Sequence, residues 1–369
     1  MIKRLFLLNG LAILAVVCNH AVGWGYTAMF WWTDRYRPVA VPNYDQMGNL
    51  AYYVLLVIKQ LTTFSVPAFL FVSGFFVAYA ARGNQSTFSW KMVWVRISNL
   101  VVPYLIWSVV VFAVDYILKV RYAPMEYLVR LATGNATPAY FFVPLLCQLY
   151  VLAPFVVLTA KNHWQWLCVG AMILHLATVG ATYAHMFDMR PLGIDWRWLA
   201  TPAWLFVRWA IFFVLGVVSS FHFQSVKQIL NRARWGLLVA ALVLAVLAVI
   251  EPEWLSRTTG EDWRGGAHTL STSLYAMVFV FCFLAFEKVE MPLTNFLTRL
   301  GNKSYGIYLS HPKGLEVVAR LAYHFTPWLL AQQILYQPVL IGMGVGMPML
   351  LMEIVSRSPL RKAYRYLFG

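Results

Sequence analysis

Ten runs of apolar residues, most near the length of a membrane span, dominate this 369-residue chain and leave it few ways to fold in water. They lie at 5–27, 50–80, 93–118, 140–160, 164–182, 201–221, 235–251, 270–287, 303–324 and 329–356. Only 12% of residues are charged, against roughly 25% in a soluble domain, so a water-facing surface cannot be built. In hydrocarbon every backbone N–H and C=O must be satisfied internally, which makes such spans helices. The expected fold class is therefore all-α: a polytopic membrane helix bundle of about ten spans forming one domain over 1–369. The run at 50–80 is long for one span, and Pro67 inside it predicts a kink.

Basic residues set the orientation. Lys3, Arg4, Arg82, Lys91, Arg96, Lys161, Lys227, Arg232, Arg234, Lys288, Arg299, Lys303, Arg357, Arg361, Lys362 and Arg365 fall on one side, which the positive-inside rule makes cytoplasmic. Both termini then lie inside, and 357–369 is a short basic cytoplasmic tail. The net charge of +15 fits contact with anionic headgroups. A nucleic-acid partner is not expected, because the basic residues are not gathered on a polar domain. The longer outer loops, 28–49, 119–139, 183–200 and 252–269, carry Trp31, Trp32, Trp196, Trp198, Trp254 and Trp263. These serve as an interfacial belt or as stacking surfaces for a sugar. Among the loop acids are Glu261 and Asp262.

Cys18, Cys147, Cys168 and Cys282 all lie inside apolar runs, away from any CxxC pair, so a disulfide framework is not expected. The histidines lack metal-ligand spacing, and no metal is expected. The first run contains His20 and has a poor cleavage site at Gly23-Trp24-Gly25, so it reads as an uncleaved span rather than a signal peptide.

Polar side chains at membrane depth are costly and often mark function. Asn9 and His20, eleven residues apart, face the same way about 16 Å apart along the first helix. A neutral imidazole there can take a proton from a hydroxyl, or can simply be satisfied by a neighbouring helix. Arg96 and Asn99 share a face at the start of the third helix, where an arginine binds a phosphate or snorkels to headgroups. Ser304, Tyr308 and His311 stand at i, i+4 and i+7 and form one polar stripe. Glu316 and Arg320 are spaced to pair. Arg208 needs a partner or a cavity, with Asp115 or Glu316 as candidate partners. Ser73 and Lys59 are further intramembrane polar groups, and His175 reads as structural.

Four segments together resemble the acyltransferase-3 family of bacterial integral-membrane O-acyltransferases. They are Leu8-Asn9-Gly10-Leu11-Ala12 to His20, Pro67-Ala68-Phe69-Leu70-Phe71-Val72-Ser73-Gly74-Phe75, Arg96-Ile97-Ser98-Asn99 to Pro103-Tyr104, and Ser304 to Pro312. Phe141-Phe142-Val143-Pro144 to Gln148-Leu149-Tyr150 is similar more loosely. The chain resembles the stand-alone type, without an extracytoplasmic domain. Two positions depart from the pattern: Asn9 and Asn99 stand where the family carries arginine, and asparagine cannot neutralise a phosphate.

The resemblance implies transfer of a small acyl group, acetyl above all, from acyl-CoA to a hydroxyl of a cell-surface or lipid-linked glycan, in the bacterial cytoplasmic membrane. The resemblance implies no bound cofactor, with acyl-CoA as the donor substrate. His20 would serve as general base or help form a transient acyl intermediate. Tyr305 or Tyr308 with Ser304 would orient His311 or stabilise the oxyanion. Asn9, Arg96 and Asn99 would position the donor. Two other readings remain: a transporter or flippase for a lipid-linked sugar or small anion, and a non-catalytic family member.

Overall fold

The computed structural model describes residues 2–82, 88–190, 193–200, 202–260 and 268–369, which are helical with no strand among them. Glu261, Asp262 and Trp263 of the expected outer loop lie outside the described residues. In chain order the helices are α1 (Ile2–Tyr26), α2 (Leu50–Leu61), α3 (Ser65–Ala80), α4 (Trp90–Ile117), α5 (Pro124–Thr133), α6 (Phe142–Asn162), α7 (Trp164–Met186) and α8 (Arg197–Ala200). They continue as α9 (Ala210–Phe221), α10 (Phe223–Thr259), α11 (Leu270–Ala285), α12 (Thr294–Asn302), α13 (Ser304–Phe325), α14 (Pro327–Leu330), α15 (Gln333–Arg357) and α16 (Tyr364–Phe368).

Seven helical segments among the described residues are long and apolar enough to cross a bilayer: Ile2–Trp31, Leu50–Ala80, Trp90–Ile117, Phe142–Asn162, Trp164–Met186, Phe223–Thr259 and Gln333–Arg357. Two shorter apolar helices, α9 and α11, stand beside them. Helix α13 has the length, at 22 residues, but carries Lys313, Glu316 and Arg320. These ten segments match the ten apolar runs, and the chain is a multi-pass membrane helix bundle.

Two runs that read as single helices are broken. The 50–80 run divides at residues 62–64, upstream of Pro67. Pro67 has no N–H for the carbonyl of Thr63, and its ring crowds that carbonyl, so the chain turns there. The 201–221 run is irregular over residues 202–209, with one 3-10 turn at Phe206–Arg208, and α9 holds only 12 residues. At 1.5 Å per residue α9 is about 18 Å long, against roughly 30 Å of hydrocarbon, so it does not cross the membrane by itself. Irregular backbone at membrane depth is tolerated only where protein or a polar cavity satisfies it.

Both termini share one end of the bundle. Phe6 of α1 packs on Phe76 of α3, with ring centroids 5.7 Å apart. Arg96 donates to the Phe76 carbonyl at 3.3 Å, and Arg365 of α16 donates to Asn99 at 2.9 Å. Trp107 of α4 donates to the Leu367 carbonyl at 2.8 Å, which fastens α16 under α4. Lys161, Lys227 and Lys303 sit at this same basic end, on Ala81, Glu287 and Glu353. Arg4 differs from its expected place in a headgroup-facing segment. It is buried and donates to the carbonyls of Phe283 and Val289, each at 3.1 Å, closing the end of α11.

Close helix contacts position the centre. A Cβ on Gly74 of α3 would lie 2.1 Å from the Phe213 carbonyl oxygen, and one on Gly216 of α9 would lie 2.0 Å from that of Phe71. The two helices touch backbone to backbone, the small-residue packing that membrane bundles favour. Gly10 and Gly301 bring α1 and α12 together in the same way. Helices α4 and α10 lie outermost, with apolar side chains such as Val109, Ile117, Val239 and Leu242 exposed as lipid contact requires.

Candidate functional site

A cavity of about 810 Å³ lies between α1, α3, α7, α9, α11 and α13, within the size range of small-molecule sites. Gly23, Trp24, Thr27, Thr182, His185 and Met186 line it at the end away from the termini. Val16, Phe69, Phe142, Ala276 and Phe212 line it toward the bundle centre. Both helix breaks border it, so irregular backbone falls where polar lining can satisfy it.

At the first break, Asn19 of α1 donates to the Lys59 carbonyl at 3.1 Å and to the Thr62 hydroxyl at 3.0 Å. The next residue of α1, His20, enters the cavity wall with its ring centroid 5.2 Å from that of His311 on α13. His311 is fully buried, and its Nδ1 lies 3.1 and 2.9 Å from the carbonyls of Ile307 and Tyr308. A carbonyl only accepts, so Nδ1 carries the proton, and Nε2 of the neutral ring is the acceptor. That Nε2 is buried with no partner among the described residues. The sequence places the two histidines 291 positions apart, and the structure joins them.

The second break builds the opposite wall. Gln148 of α6 donates to the carbonyls of Pro144 and Trp204, at 3.1 and 2.8 Å, and accepts from the Phe206 N–H at 3.4 Å. Trp209 donates its indole N–H to the Ala203 carbonyl at 2.8 Å. These bonds hold Arg208 on a rigid turn. Its guanidinium donates to the Ala200 carbonyl at 3.1 Å, while His175 meets the Arg208 carbonyl at 2.9 Å. Arg208 has no carboxylate partner among the described residues. The two carboxylates considered for it, Asp115 and Glu316, instead hold Lys313, each at 2.7 Å. Glu316 also pairs with Arg320 at 2.9 Å, as the spacing predicted. His268, just before α11, lies beside this turn, 4.8 Å from the Trp209 ring and 5.3 Å from that of His175.

Of the residues singled out in the sequence, His20, Tyr308, Arg208 and Glu316 line the cavity, and His311 stands behind His20. The others lie elsewhere. Ser304 and Tyr305 sit about two turns below His311, roughly 10 Å along α13. The Tyr305 hydroxyl donates to the Leu100 carbonyl at 2.6 Å, and that of Tyr308 to the Ala139 carbonyl. Neither tyrosine hydroxyl is directed to His311. Ser73 is half-buried in α3, apart from the cavity lining. Asn9, Arg96 and Asn99 lie at the basic end, outside the cavity lining. Asn9 keeps a buried side-chain oxygen with no partner among the described residues. Asn99 accepts from Arg365, so the tail brings a guanidinium to the side chain of Asn99.

Sequence reasoning missed His268, Thr272, Ser273 and Trp209. The first three fall at a junction that reads as loop and helix start, and their only signal is three hydroxyl residues running into an apolar helix. His175, read as structural, is 2% exposed and holds the carbonyl of Arg208, which agrees with that reading.

Compared with known families, residues 3–353 match a family model described as an acyltransferase domain. No curated protein and no solved structure matches the chain.

Proposed function

Because the chain belongs to the acyltransferase-3 family, whose domain covers nearly all of it, it is a membrane-embedded acyltransferase, and we propose that it acetylates a hydroxyl of a cell-surface or lipid-linked saccharide with acyl-CoA as donor. The observation that carries this reading is the His20–His311 pair, 5.2 Å apart at the wall of a cavity large enough for a sugar and an acyl thioester end.

In this reading the chain sits in a bacterial cytoplasmic membrane with the basic end inward. The donor approaches from that end, past Arg96, Asn99, Arg365 and Asn9. The acceptor enters the cavity from the other end. The His20 imidazole takes the proton of the acceptor hydroxyl as its oxygen bonds to the thioester carbonyl carbon. The C–S bond breaks, and His20 returns the proton to the thiolate. His311 packs beside the His20 ring, and its bare Nε2 is left as an acceptor for a proton donor in the site. Tyr308 shapes the wall with its ring, because its hydroxyl is spent on Ala139. Ser304 and Tyr305 then belong to the donor side of α13 rather than to the reacting centre.

The test is transfer of label from radiolabelled acetyl-CoA to cell-envelope glycan in membranes carrying wild type or His20→Ala. Loss of a general base lowers the rate by about 10²–10⁴-fold. Full activity in His20→Ala would remove His20 from the chemistry. Absence of label from a well-folded wild type, given acetyl and longer acyl donors and plausible acceptors, would turn the reading toward transport.

A further inference from the structure

The wall opposite His20 holds three buried hydrogen-bonding groups without partners among the described residues: Arg208 Nε, His268 Nε2 and Ser273 Oγ. The three residues are 8%, 8% and 3% exposed, and all line the cavity. Arg208 Nε and the Ser273 hydroxyl can each donate a hydrogen bond, while His268, whose ring meets the Arg208 carbonyl, packs beside them. Arg208 adds a permanent positive charge, and the N-terminal turn of α11, capped by Thr269, contributes the positive end of a helix dipole beside them. A guanidinium taken from water without a carboxylate is stable only where something anionic or strongly accepting meets it. The Ala200 carbonyl engages one of its nitrogens, which fixes its orientation and leaves Nε unengaged.

We infer that the Arg208–His268–Ser273 wall is an anion subsite that holds a carboxylate or phosphate group on the acceptor, so that the acceptor is an acidic saccharide or a glycosyl phosphate. This rests on the acyl-transfer reading for the ligand's role as acceptor. The donor is the other possible source of the anion. The cavity disfavours it in two ways. Its lining includes Gly23, Trp24, Thr27, His185 and Met186 on the side away from both termini, whereas the basic residues lie at the opposite end. A coenzyme A also brings several phosphate charges, and here one guanidinium with a neutral donor suits a single anionic group. The other charged lining groups are Lys313 and Glu316 of α13, already paired with each other, and Lys59 of α2, at the first helix break beside Asn19.

The test separates binding from turnover. Purified full-length protein in nanodiscs is titrated, without donor, with a glucuronate-containing disaccharide, its carboxyl-reduced counterpart, glucose 1-phosphate and coenzyme A. Wild type should bind an acidic sugar about tenfold or more tighter than the reduced one, as one charge-assisted contact provides. Arg208→Gln should bring that ratio close to one. Ser273→Ala, a milder change that keeps the turn intact, should lower it by a smaller factor if Arg208→Gln does not fold. Equal binding of charged and reduced sugars by wild type would overturn the inference. So would a charge preference that survives both substitutions, or an effect of Arg208→Gln on coenzyme A alone. Charge-selective binding that depends on Arg208, with no acetyl transfer to any of these sugars, would keep the anion subsite and remove the acyl-transfer reading instead.

Discussion

Replacing Gly216 by alanine should loosen the cavity without touching any of its lining side chains. The added Cβ would stand 2.0 Å from the Phe71 oxygen, 2.8 Å from its carbon and 2.9 Å from the Phe75 nitrogen. All three are backbone atoms of α3, so no rotamer change relieves the clash. Restoring an ordinary contact of about 3.4 Å requires α3 and α9 to part by roughly 1.4 Å. Overpacking of this kind costs about 1–3 kcal/mol, and a rigid backbone contact belongs at the upper end. Helix α9 follows directly on Arg208 and Trp209, so the shift moves that wall relative to His20. A displacement near 1 Å costs on the order of 10²-fold in rate where reacting groups must align. Thermal unfolding of the detergent-solubilised protein, followed by size-exclusion, reads the first effect, and acetyl transfer in membranes reads the second. Gly180→Ala is the control: no atom lies within 4 Å of its Cβ, and removing a helical glycine should stabilise by about 0.5–1 kcal/mol. If Gly216→Ala melted and turned over like Gly180→Ala, the backbone contact between α3 and α9 would not be what positions the wall.

Gln148→Leu should strand the Trp204 carbonyl and the Phe206 N–H, with a loss of about 1–3 kcal/mol for each group left unsatisfied; reduced thermal stability, partly recovered by Gln148→Glu or Asn, is the expected readout. Arg365→Gln should raise the KM for acetyl-CoA several-fold, on the order of one lost charge-assisted contact, with the acceptor KM unchanged and the difference shrinking as salt is added. An unchanged donor KM would mean that the tail's guanidinium only braces Asn99.

The helix count was legible because hydrocarbon imposes a length and a composition that no local detail overrides. The stripe on α13 was legible for the same reason: Tyr308 and His311 stand on one face wherever the helix packs. What escaped were the places where helices stop. Residues 202–209 are mostly apolar, and Pro202 and Arg208 were the local signs that the run does not begin as a helix. Their irregularity is decided by Gln148, more than fifty positions away, which satisfies the exposed backbone. The pairing of charges was equally hidden. Arg208, Asp115 and Glu316 were all visible as costly residues, yet which cation takes which carboxylate depends on how α4 meets α13. Once Lys313 holds both acids, Arg208 becomes the group that needs a ligand.

The two asparagines in place of arginine fit this separation between visible residues and hidden partners. Asn99 lies beside Arg96, and 266 positions later the chain returns a guanidinium to its side-chain oxygen. Trp107 bonded to the Leu367 carbonyl and Phe368 buried at Gly306 hold α16 in place, so Arg365 is presented from a docked helix rather than a loose tail. The positive charge at this face therefore comes from an element that packs against α4 and α13 from outside. A charge delivered this way can leave when α16 undocks, which one fixed in α4 cannot. The basic end and the cavity thus differ in kind: Arg208 is locked by Gln148, Trp209 and His175 at the centre of the bundle, whereas the cation beside Asn99 is held by a five-residue helix at its rim.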